Sequence, residues 1–99
     1  MAHRVAPQAE LDLDDIWIHV AKESGSLEFA DGLIDATTDR FFLLAGHPYI
    51  GRVCHEDLGT GSRSFPVGEY VIVYRVEDGD VLILRVVHGT RDMEALFGL

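Results

Sequence analysis

The chain has 99 residues and carries 17 acids against eight Lys and Arg, a formal net charge of −9. At 47% hydrophobic and 25% charged it is too apolar to be disordered, and a chain of this length buries about two-thirds of its unfolded surface. One cysteine, Cys54, excludes an intrachain disulfide, no run approaches the ~18 apolar residues of a membrane span, and the acidity opposes general binding to a phosphate backbone.

Residues 3–6 read as a short first strand. Pro7 suits the first turn of a helix, where its missing N–H costs nothing. From Ala9 the apolar residues fall at Leu13, Ile16, Trp17, Val20 and Ala21, the spacing of one buried helical stripe, and Gly25 is a plausible stop. Trp17, inside the stripe, is expected in the core. Glu10, Asp12, Asp14 and Asp15 fall in the early turns, where the helix dipole favours negative charge, and read as a solvated face. Ser26 suits the N-cap of a second helix with the stripe Ala30, Leu33, Ile34, Thr37, Phe41 and Leu44. Asp31, Asp35 and Asp39 mark its solvated side, and Gly46 and Pro48 end it. Two amphipathic helices joined by a short Gly-Ser turn form a helical hairpin.

The remainder reads as β. Residues 62–65 form a short strand candidate, and 69–76 and 81–88 are rich in Val, Ile and Tyr. Asp78-Gly79 between them is a two-residue hairpin signal that sets Tyr74 opposite Ile83, Ile72 opposite Arg85, Tyr70 opposite Val87 and Glu69 opposite His88. Alternation then sorts two faces. Val71, Val73, Leu82, Leu84 and Val86 are expected to lie on the helices, and Tyr70, Ile72, Tyr74, Ile83, Arg85 and Val87 to face away. The fold class is α+β in the order β-α-α-β-β-β, with the N-terminal helical hairpin packed on one face of a small, mainly antiparallel sheet. Residues 1–99 read as a single domain.

No phosphate-binding glycine loop, nucleophile elbow or His-Glu-x-x-His is present. His3, His19, His47, His55 and His88 are scattered, and His55-Glu56-Asp57 converge poorly as metal ligands. No cofactor and no metal are expected. The set that stands out is Arg63, Tyr70, Tyr74, Arg85, His88 and Arg91. Arginine offers a planar fork to carboxylates or phosphates, but Arg85 stacked on a tyrosine and Arg91 paired with Asp92 would be merely structural.

Several segments resemble the ParE-type toxins of the RelE/ParE toxin–antitoxin superfamily. They are residues 9–17 (AELDLDDIW), 47–52 (HPYIGR), 61–70 (GSRSFPVGEY), 73–75 (VYR) and 83–92 (ILRVVHGTRD), in family order and over nearly the whole chain. The resemblance implies the toxin half of a type II pair, inhibiting DNA gyrase by protein–protein contact and held in a hetero-oligomer by a ParD-like antitoxin. It implies no catalytic residue. Tyr70, Ile72, Tyr74, Arg85 and Arg91 are the candidates for partner binding. The alternative implied by the RelE branch is a ribosome-dependent mRNA endoribonuclease using Arg63, Arg85, His88 and Arg91. That branch's lysine-rich set is absent, since Lys22 is the single lysine. A third reading is a non-toxic binding module of the same fold. No membrane contact and no direct DNA binding by this chain alone are expected. Met-Ala-His-Arg leads into mixed polar sequence rather than an apolar signal core, so a cytoplasmic location is expected.

The acidity is uneven. Residues 1–40 hold nine acids and three bases, and residues 41–99 hold eight acids and five bases. The excess sits on the helical hairpin, so an antitoxin is expected to meet it with apolar groups or with Lys and Arg.

Overall fold

The computed structural model describes residues 2–53 and 61–89. Strand β1 (His3–Val5) leads through Ala6, held extended, into helix α1 (Pro7–Ser24), with proline in the first turn as expected. Gly25 ends α1 in the left-handed conformation (φ 67°), its N–H bonded to the Ala21 carbonyl at 2.9 Å. Ser26 then caps helix α2 (Leu27–Gly46), its Oγ accepting from the Phe29 N–H at 3.1 Å. Strand β2 (Arg52–Val53), which the sequence reading did not anticipate, precedes β3 (Ser62–Val67), β4 (Tyr70–Glu77) and β5 (Asp80–His88). The strand order is β1-β5-β4-β3-β2, with β1 parallel to β5 and the other pairs antiparallel.

The hairpin packs on the face that carries Tyr70, Ile72, Tyr74, Val81, Ile83 and Val86, which share one core with Ala9, Ile16, Val20, Ala30, Phe41 and Leu44. Both helical stripes are therefore as expected, but the assignment of the sheet faces is reversed except at Val86, which lies in the core as expected. Tyr70, Ile72 and Tyr74 lie inside, at 8%, 0% and 0% exposed. The reversal and the register have separate causes. The Asp78-Gly79 turn forms as expected, with both φ values positive (53° and 81°), and Tyr74 does pair with Ile83. A β-bulge at Leu84 then adds one residue to β5, so Ile72 pairs with Val86 and Tyr70 with His88, one residue off the expected register, and Val86 joins the face of Ile83. The reversal itself arises because tyrosine counted as a surface residue, whereas the Tyr74 hydroxyl finds polar partners within the core.

Trp17 is a smaller correction. It packs against the core only in part, and its indole Nε1 donates to Asp31 Oδ1 on α2 at 2.7 Å. No helix among the described residues is long and apolar enough to cross a membrane.

Candidate functional site: two anchored junctions and a groove

Three features gather the side chains that carry polar chemistry. The first lies where α1 crosses β5. Strand β1 stops opposite Ile83, so among the described residues β5 has no strand neighbour on that side from Leu84 onward. Asp12, on the buried stripe between Ala9 and Ile16, takes the vacant place. Its Oδ2 accepts from the Val86 N–H at 2.9 Å and from Arg85 Nε at 2.8 Å, and its Oδ1 accepts from Arg85 Nη2 at 3.2 Å. Gln8 Nε2 adds a fourth, longer bond at 3.3 Å. The carboxylate thus closes the open edge of a strand and neutralises a guanidinium in one two-pronged contact. The expectation that Asp12 belongs to a solvated face is corrected, since it is 7% exposed. Its signal was its position: Ala9, Asp12, Leu13 and Ile16 follow the helical stripe.

The second junction holds the turn after α2. The Tyr74 hydroxyl donates to the Pro48 carbonyl at 2.8 Å and accepts from the Gly51 N–H at 2.9 Å. Arg63 Nη1 donates to the Gly51 carbonyl at 2.9 Å and to that of Tyr49 at 3.3 Å, and its guanidinium lies 5.0 Å from the centre of the Tyr49 ring. Gly51 is obligatory here, because a Cβ at that position would stand 2.3 Å from the Tyr74 hydroxyl.

The third feature is a groove of about 470 Å³ between the hairpin and the β3–β4 turn. Val20, Leu33, Phe29 and Tyr70 supply apolar walls, and Glu23 and Glu69 stand on it as carboxylates. Tyr70 also meets the His88 ring edge-on, with centroids 5.6 Å apart.

The sequence-derived set is therefore divided rather than convergent. Arg85 is bound at the α1 junction, Arg63 and Tyr74 at the turn, Tyr70 and His88 at the groove end of the sheet, and Ile72 in the core between them. Arg91, Cys54 and the His55-Glu56-Asp57 run lie outside the described residues. Among the described residues no group of three or more His, Cys, Asp or Glu could hold a metal ion. Sequence reasoning passed over Tyr49 and Ile50, which the second junction leaves exposed at 67% and 48%. An aromatic and an aliphatic residue between a proline and a glycine were the available signal.

The fold is shared with chains from solved toxin–antitoxin systems. A chain of the chromosomal ParDE system of P. aeruginosa superposes with a TM-score of 0.76 at 22% identity, over 89% of this chain and 95% of that one. A chain of the toxin–antitoxin complex RelBE2 of Mycobacterium tuberculosis superposes with a TM-score of 0.56 at 28% identity, over 88% and 95%. Residues 4–93 match the family model described as the ParE toxin of the type II toxin–antitoxin system parDE. Toxin ParE1 of Caulobacter vibrioides is 34% identical over 98 residues (97% of each chain), and Toxin ParE3 of the same organism is 31% identical over 87 residues (88% of this chain, 85% of that one). The chain belongs to the ParE toxin family.

Proposed function

We propose that the chain acts as a toxin by protein–protein contact, with DNA gyrase as its target, and is neutralised by a ParD-like antitoxin. The observation that carries this reading is the Arg85–Asp12 pair. A ribonuclease would need its cations turned toward a phosphate, whereas the Arg85 guanidinium is held by a buried carboxylate of α1 and Arg63 by carbonyls of the turn. The net charge of −9 weighs the same way.

The groove beside the hairpin is the proposed antitoxin seat. Exposed Phe29 offers apolar contact there, and Glu23 and Glu69 favour Lys or Arg on the antitoxin. Of the side chains first expected to meet a partner, Tyr70 reaches this groove, while Ile72 and Tyr74 act from inside by supporting the sheet.

Expression without antitoxin tests the reading. The expected result is DNA breakage with loss of gyrase-dependent supercoiling. Normal supercoiling with translation arrest and cleaved transcripts would favour the ribonuclease alternative, for which the Tyr70–His88 contact is the supporting observation, with His88 as the acid–base group. In that case His88→Ala would abolish cleavage. Harmless overexpression would favour a binding module.

A further inference from the structure

The turn after α2 is held far more firmly than its own burial requires. Four hydrogen bonds from two sheet residues, Tyr74 and Arg63, fasten the backbone of Pro48, Tyr49 and Gly51. A fifth, from the Ile50 N–H to the His47 carbonyl, closes the turn itself. Pro48 and Gly51 are buried, yet Tyr49 and Ile50 between them point outward, and Val53 just beyond is 62% exposed. Such an arrangement presents two apolar side chains on a backbone whose ordering is complete before any partner arrives, which lowers the entropic cost of association.

The surroundings differ from the rest of this acidic chain. Residues 41–53 and 61–68 contain Arg52 and Arg63 and no acid. Arg52 is exposed, and its side chain makes no hydrogen bond or ion pair among the described residues. It lines, with Ile50, Ser64, Phe65, Pro66 and Val71, a second groove of about 480 Å³ that continues from the turn. Apolar knobs beside an arginine that has no ion-pair partner among the described residues suit a protein surface that offers an apolar recess with a carboxylate at its rim. They suit a nucleic acid poorly, since two arginines in a chain of net charge −9 give little phosphate attraction.

We infer that Tyr49, Ile50 and Arg52 form the surface by which this toxin grips its target protein, at an apolar recess edged by an acidic side chain, while the antitoxin seats at the hairpin groove. The inference rests on the reading of the chain as a toxin that acts by protein contact.

The test is growth arrest on expression without antitoxin, read for the wild type, for a Tyr49→Ala/Ile50→Ala double variant and for Arg52→Glu. The expected result is arrest by the wild type and arrest weakened about tenfold or more in both variants. Both variants should still co-purify with the antitoxin and melt as cooperatively as the wild type. Arg52→Glu breaks no side-chain hydrogen bond or ion pair among the described residues, so it decides the matter if the double variant fails to fold. A wild type that leaves growth unchanged overturns the toxin reading and this inference with it. A wild type that arrests growth alongside variants that arrest it equally overturns this inference alone. Loss of antitoxin binding in folded variants also overturns it, by assigning the surface to the antitoxin. So does an effect of Arg52→Glu with none from the double variant, which would mark a phosphate contact.

Discussion

The hairpin holds two of its acids in hydrogen bonds of nearly equal length and very different consequence. On the inner face of α1, Asp12 meets Arg85 at 2.8 Å, is 7% exposed, and also receives the Val86 N–H of the sheet. On the outer side, Asp31 meets the Trp17 indole at 2.7 Å in open solvent. Distance alone would rank them together. Burial separates them, because an unmatched charge or N–H costs little where water can replace its partner and much where it cannot. The turn at Gly51 belongs with Asp12, because its two bonds to the Tyr74 hydroxyl are buried. The contacts of Asp12 with the sheet and of Tyr74 with the turn are thus enclosed, and that of Trp17 with Asp31 on the outer hairpin is solvated.

The largest expected effect lies at the turn. Gly51→Val drives a side chain into the Tyr74 ring and hydroxyl and parts the hydrogen bonds that fasten residues 48–51. Overpacking together with lost buried hydrogen bonds should cost about 3 kcal/mol or more. For a domain of this size that lowers Tm by roughly 15 °C, measurable by calorimetry. A Tm within a few degrees of wild type would show that the turn is loosely held and break the comparison.

Asp12 comes next. Asp12→Ala leaves Arg85 and the Val86 N–H without their acceptor. Because the Arg85 side chain is 34% exposed, the loss should be about 2–3 kcal/mol, below the range for a fully buried pair. Asp12→Asn sharpens the point. The amide oxygen can still accept from Val86, so urea unfolding should find Asn clearly milder than Ala. Equal losses would mean that charge pairing with Arg85, and not closure of the strand edge, is what Asp12 contributes.

The hairpin was legible from its sequence because helical periodicity is redundant. Six stripe residues in each helix, a proline start, a glycine stop and a serine cap all pointed to the same boundaries. The sheet was legible as far as the Asp78-Gly79 turn reaches, which is Tyr74 opposite Ile83. Beyond it a single extra residue, Leu84, displaced each later pair, and nothing local in a run of Val, Ile and Leu marks where a bulge falls. The choice of buried face failed for a related reason. Aliphatic residues occupy both faces of β4 and β5, so the decision turned on Tyr70 and Tyr74, whose polar atoms are satisfied by groups distant in sequence. Pro48 and Gly51 are 26 and 23 positions from Tyr74. Asp12 and Arg85 are 73 apart, which put that pair beyond any local pattern.

The smallest effect is expected at Trp17. A fully buried tryptophan would cost about 3–5 kcal/mol on truncation to Ala. Trp17 is only partly covered and its indole N–H bonds to an exposed carboxylate, so Trp17→Ala should cost about 1–2 kcal/mol. Asp31→Ala, which removes the partner and leaves the ring, should stay within about 0.5 kcal/mol of wild type. The chain has one tryptophan, so its fluorescence reports this site without ambiguity. Emission should lie between the values for buried and free indole and should shift little in Asp31→Ala. A blue, core-like emission together with a loss of several kcal/mol would place Trp17 with Asp12 among the enclosed contacts, and the boundary between the two sides of the hairpin would have to be redrawn through α1.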